Sequence, residues 1–100
     1  MDHLYIRHTL GGTLFYDSKQ DGNGYELEFV EGNWIFKLSS VAPTAVQELL
    51  AHSGELNIFL VAEGQTAHKS WLYSTEGRVE ADAASGLVLV YADVRQDYTV

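Results

Sequence analysis

Four histidines, fourteen carboxylates and a scatter of serines are the side chains of this 100-residue chain that can ligate a metal, move a proton or attack an electrophile. Their spacing decides which chemistry is expected. His3 and His8 lie five apart on a segment of alternating apolar and polar residues, so their rings point to opposite faces of one strand. His52 falls where a helix should end, and a cationic ring there complements the helix dipole. His68 opens a distant strand. On this spacing neither a resident metal nor a cofactor is expected, and calcium and zinc should leave the thermal midpoint unchanged, because an ion that binds only the native state must raise it. The serines lack a Gly-x-Ser-x-Gly elbow, and Ser85 in Ala84-Ser85-Gly86 reads as a turn residue. Glu26 and Glu28 share a strand face about 7 Å apart, a reach that suits paired carboxylates. Solvated, they lack the burial that would separate their pKa values. No catalytic residue is expected, and the chain reads as a non-enzyme.

The segment Asp17-Ser18-Lys19-Gln20-Asp21-Gly22, with Glu28 at the twelfth position, resembles the calcium loop of the EF-hand family. The resemblance implies oxygen ligands from Asp17, Asp21 and Glu28. Lys19 stands where a further oxygen ligand is needed, and both flanks alternate as strands rather than helices. The segment therefore reads as a polar hairpin loop turned by Asp21-Gly22-Asn23-Gly24. Those glycines lead into a strand, so the helix N-terminus that would cradle a phosphate is missing.

The elements that must position these groups follow from hydrophobic period. Alternation by two marks strands over 3–10, 13–16, 25–29 and 33–39, with Gly11-Gly12 and Glu31-Gly32-Asn33 as turns. Pro43 is tolerated in a first helical turn, where its missing N–H has no partner. Thr44 and Gln47 fit a capping box, Val46, Leu49 and Leu50 form one stripe, and Ser53-Gly54 supplies the stop. One helix is expected within 42–54. Leu56 to Ala62 and Leu87 to Ala92 are apolar on both phases, as in central strands covered on both sides. His68 to Ser74 and a weaker strand from Arg78 to Ala83 lie between them, and Arg95-Gln96-Asp97-Tyr98 reads as a polar tail. The fold class expected is α+β, mainly β: a strongly curved antiparallel meander of four strands, helix, four strands, with the helix on one face. A small closed barrel is the alternative.

With 46% hydrophobic and 12% aromatic residues the chain can form one core, and one domain over 1–100 is expected. It has no cysteine, which removes disulfides and thiolate chemistry. No leader and no apolar run near the roughly 20 residues of a membrane helix is visible, so a soluble cytoplasmic protein is expected. A formal charge of −8 repels nucleic acid and anionic membranes and favours a basic partner.

Asp17, Asp21, Glu26, Glu28 and Glu31 are expected in one acidic hairpin, with Tyr5 and Tyr98 as exposed aromatic contacts. Trp34, Phe36, Trp71 and Tyr73 read as core. Glu76, Glu80 and Asp82 form a second, weaker acidic group. The leading expectation is a non-catalytic binding protein that inhibits or neutralises a basic nucleic-acid-handling partner such as a nuclease. Phage-borne inhibitors of host defence and toxin-immunity proteins share its size and charge, an analogy and nothing closer. The alternative is an assembly subunit, of a phage particle or secretion machine, that forms homodimers or larger arrays through strand edges. A third reading is a small-ligand pocket or enzyme within the sheet.

Overall fold

The computed structural model describes residues 3–10, 12–18, 25–62, 68–82 and 84–99, with side chains described as far as residue 97. Among these residues the chain is mainly β, with nine strands and one helix. Hairpins alternate between two antiparallel sheets. The first, β1 (His3–His8) with β2 (Leu14–Asp17), enters a five-stranded sheet, and the second, β3 (Tyr25–Val30) with β4 (Asn33–Leu38), enters a four-stranded one. After helix α1 (Pro43–Ala51), β5 (Leu56–Val61) and β6 (His68–Tyr73) return to the first sheet, and β7 (Val79–Asp82) and β8 (Leu87–Ala92) to the second. A last strand, β9 (Val94–Thr99), crosses back. The orders are β2-β1-β5-β6-β9 and β3-β4-β8-β7, and among the described residues neither sheet closes into a barrel.

The fold class and the place of the helix agree with the alternation in the sequence, while the arrangement of the strands differs from a single meander. Hydrophobic period reports which residues face a core and is silent on which sheet a strand joins. Leu4, Ile6, Ile58, Leu60 and Leu72 on the inner face of the larger sheet are buried against Phe36, Leu38, Val88 and Val90 of the smaller. β5 lies at the centre of its sheet and β8 inside its own, as expected. Their outer faces are not covered by another layer: Asn57, Phe59 and Val61 are half-buried among their neighbours.

Helix α1 starts at Pro43 without a side-chain cap from Ala42, so the Thr44 to Gln47 box is not used as the start. It touches β2 and β7, one edge strand of each sheet, and seats Val46 and Leu49 in the core. Rather than lying on one face, the helix plugs one open side of the sandwich. Three residues with positive φ hold the turns of the smaller sheet. Glu31 (φ 51°) and Gly32 (φ 83°) form the two-residue turn between β3 and β4, whose backbone twist matches the strands. Gly86 (φ 73°) lies against Val41, where a Cβ would stand 3.0 Å from both the backbone nitrogen and oxygen. That close approach permits the 2.8 Å bond from the Val41 N–H to the Gly86 carbonyl, tying the helix approach to the β7–β8 turn.

Candidate functional site

The outer face of the four-stranded sheet collects charge from both of its edges. Glu26 of β3 pairs with Lys37 of β4, Lys37 with Leu89 of β8, and Leu89 with Glu80 of β7, which makes one continuous row across the sheet. The flanking rows add Glu28, Ile35 and Tyr91 on one side and Leu87 and Asp82 on the other. Successive strands stand about 4.8 Å apart, so carboxylates on β3 and β7 are separated by about 14 Å of surface, on which Lys37 lies among Ile35, Leu87, Leu89 and Tyr91. The two acidic groups seen in the sequence, far apart along the chain, thus border a single face.

Each edge carries its own ion pair. Lys37 Nζ donates to Glu28 Oε1 at 3.0 Å, and this bond raises the lysine pKa. At the other edge Arg78 Nη2 donates to Glu80 Oε1 at 3.1 Å, and the Tyr91 hydroxyl donates to Glu80 Oε2 at 3.0 Å. The Arg78 guanidinium lies 4.0 Å from the centre of the Tyr91 ring. Hydrogen bonds from Arg78 and then Tyr91 hold the Glu80 carboxyl below its usual range, and burial followed by the Glu80 bond pushes the Tyr91 hydroxyl up. Glu80 therefore stays ionised and fixed in direction.

The single acidic hairpin expected from the sequence does not form. Asp17 belongs to β2 in the other sheet, opposite Tyr5, with its Oδ1 2.6 Å from His3 Nε2. Glu26 and Glu28 are exposed on β3, Glu31 is exposed in the following turn, and Asp21 lies outside the described residues, as does the rest of the calcium-like loop between Ser18 and Tyr25. The chain passes from one sheet to the other between β2 and β3, and that switch separates Asp17 from the rest.

Tyr5 is half-buried on the outer face of the larger sheet, in a row that runs Asp17, Tyr5, Phe59, Trp71, Gln96. It stacks on Phe59 at 5.1 Å, with Arg7 5.4 Å and Lys69 5.7 Å from its ring centre. Trp71 and Tyr73, expected in the core, lie on this outer face because Ser70 and Leu72 take the inward phase of β6. Trp71 is held there by donating to Asn57 Oδ1 at 2.9 Å. Phe36 is buried as expected, and Trp34 is half-buried. Tyr98 pairs through its backbone with Lys69, and its side chain lies outside the described residues.

Two polar clusters escaped the sequence reading. In the first, Ser70 Oγ donates to Asp97 Oδ1 at 2.5 Å, while Arg95 donates to the same oxygen at 2.8 Å and to Ser70 Oγ at 3.2 Å. Ser70 and Arg95 in turn hold the Asp97 carboxyl below its usual range. The group borders a cavity of about 220 Å³ shared with Leu60, Ala62 and His68. A serine whose proton rests on so weak a base is poorly set for attack. The second cluster is His8, His52 and Glu55, with His8 Nε2 2.5 Å and His52 Nδ1 3.3 Å from Glu55 Oε2. Glu55 and then the Leu10 carbonyl raise the His8 pKa, and bonds to both rings lower that of Glu55. The spacing that set these histidines apart is overridden by the pairing of β1 with β5.

Fold and surface together define a two-sheet β protein with a plugging helix and one acid-bordered sheet face. Comparison of the chain with protein-family models, with curated proteins and with solved structures returned no match. Among the described residues no helix is long and apolar enough to cross a membrane.

Proposed function

We propose that this protein is a non-catalytic binding protein that engages a basic protein partner through the outer face of the four-stranded sheet. The observation that carries the reading is the face itself. Glu26 and Glu28 on one edge and Glu80 and Asp82 on the other enclose Ile35, Leu87 and Leu89 together with Lys37, whose charge is held by Glu28. A largely apolar centre, in which Lys37 is neutralised by Glu28, with an acidic border has the anatomy of a protein interface, where the centre supplies affinity and the border supplies steering and orientation. The excess of eight negative charges adds long-range attraction for a cationic surface. Proteins that handle nucleic acid present such surfaces, and occupying one would neutralise the partner by competing with its phosphate substrate.

Capture experiments with wild type and with the doubly reversed variant Glu26→Lys, Glu28→Lys test this reading. Wild type should retain a basic protein at low salt and release it at high salt, and the reversed variant should retain markedly less of it. Equal retention of every captured protein by both forms would contradict the proposal.

One observation favours self-assembly as a second reading: the edge strand β3 exposes Leu27 (39%), Phe29 (61%) and Val30. In that case sedimentation should show a concentration-dependent dimer or larger array that Phe29→Lys abolishes.

A further inference from the structure

The junction of α1 with β5 carries a cluster that the proposed binding face does not use. β1 runs antiparallel to β5 with His8 opposite Leu56, so the end of β1 meets the residues that follow the helix. His8, His52 and Glu55 converge there, their ligand atoms all within 4.8 Å of one another. We propose that these three side chains form a binding site for a first-row divalent cation, zinc foremost, with the Glu48 carboxylate supporting His52.

The donor chemistry selects the ion. Two imidazole nitrogens and one carboxylate oxygen suit zinc, whereas calcium and magnesium need shells built almost wholly of oxygen. Tetrahedral zinc, with bonds of about 2.0–2.1 Å, holds its donors about 3.4 Å apart. His52 Nδ1 and Glu55 Oε2 already stand 3.3 Å apart. His8 Nε2 and Glu55 Oε2, at 2.5 Å, must open by roughly 1 Å to reach that geometry. The carboxylate is the arm free to move, since the Glu55 side chain is 50% exposed and that of His8 only 16%.

A second observation is independent of the donor set: the remaining nitrogen of His8 is hydrogen-bonded, and that of His52 faces a carboxylate across a longer gap. His8 Nδ1 lies 2.5 Å from the Leu10 carbonyl oxygen. The Leu10 carbonyl and the Glu55 carboxylate both only accept, so the metal-free ring donates from both nitrogens, and on binding an ion Nε2 gives up its proton while Nδ1 keeps its own for Leu10. His52 Nε2 lies 3.6 Å from Glu48 Oε2. An outer hydrogen bond like that of His8 fixes the tautomer and orientation of a metal-bound histidine, and Glu48 is within reach to close on His52. Phe15 adds a rigid wall, stacked on His52 at 5.4 Å and 9° and meeting His8 edge-on at 5.8 Å. The backbone holds the third ligand in place, through the Glu55 N–H to the His52 carbonyl at 2.8 Å and the Thr9 N–H to the Glu55 carbonyl at 3.0 Å. Three protein donors leave a fourth position for water or a partner's ligand.

Chelator-treated protein titrated with Zn²⁺ alone in a calorimeter, with Co²⁺ as a spectroscopic probe, tests the site. Wild type should bind one equivalent of zinc saturably, show the intense visible bands of four-coordinate cobalt, and gain thermal stability with excess zinc. His52→Ala and Glu55→Gln should each abolish the saturable step. Glu48→Gln should weaken it about tenfold, as loss of an outer partner does. His68→Ala should bind as wild type. If His52→Ala fails to fold, Glu55→Gln at its half-exposed position still decides the matter. Absence of saturable zinc binding by wild type, or undiminished binding by Glu55→Gln, would overturn the proposal.

Discussion

At the scale of single residues, burial and partner chemistry decide what each side chain contributes. Phe36 is fully buried between the sheets, and Phe36→Ala should cost about 3–5 kcal/mol in urea unfolding, the usual toll of an aromatic lost from a core. Asp97 carries a pH dependence of definite sign. Its pKa is lower folded than unfolded, so its stabilisation is present above the ordinary aspartate value of 3.8 and is lost as pH falls through the folded value. Between pH 6 and pH 3 the urea midpoint of wild type should therefore fall more than that of Asp97→Asn. Equal falls would show that Ser70 and Arg95 do not favour the charged form. Residue types alone made this cluster invisible, since Ser70, Arg95 and Asp97 meet only through the pairing of β6 with β9.

At the scale of elements, the sequence was most legible where period and burial agree. Strands β1 to β8 each show alternation or a continuous apolar run, and α1 announces itself by proline and stripe. β9 looks like a polar tail in the sequence because Arg95 and Asp97, which hold its inward phase opposite Leu72 and Ser70, are exposed at the rim of a polar cavity instead of packing in the apolar centre. The phase of β6 was misread for a related reason: Ser70 is small and polar yet buried, while the larger Trp71 lies outside. The helix stripe was legible only in part. Leu49 is fully buried, but Leu50 is 44% exposed. Leu49→Ala should accordingly cost about 2–5 kcal/mol and Leu50→Ala less than about 1 kcal/mol in chemical denaturation. Matching losses would contradict a helix that plugs the sandwich with one narrow face.

At the scale of the whole molecule, function turns on which distant segments the sheets bring together. Acidity was legible from composition, but the membership of the acidic face was not. Asp17 leaves it because β2 joins the other sheet, and Glu80 and Asp82 enter it because β7 and β3 are the two edges of one sheet. His8 and His52 meet for the same reason, because β1 pairs with β5 and sets His8 opposite Leu56, just beyond the end of the helix. Charges on the border of an interface act mainly on the rate of association, which falls with salt as the Debye length shrinks to about 8 Å at physiological ionic strength. Reversing Glu26 and Glu28 together removes the Lys37–Glu28 ion pair and sets a lysine directly opposite Lys37, so folding stability should fall by about 1 kcal/mol while the fold is kept. The direct measurement of the central claim is the association rate of wild type and of Glu26→Lys, Glu28→Lys with the captured basic partner at two salt concentrations. The predicted result is a several-fold slower association for the reversed protein at low salt and a weaker dependence on salt. Identical rates and identical salt dependence for the two proteins would contradict the assignment of the binding face.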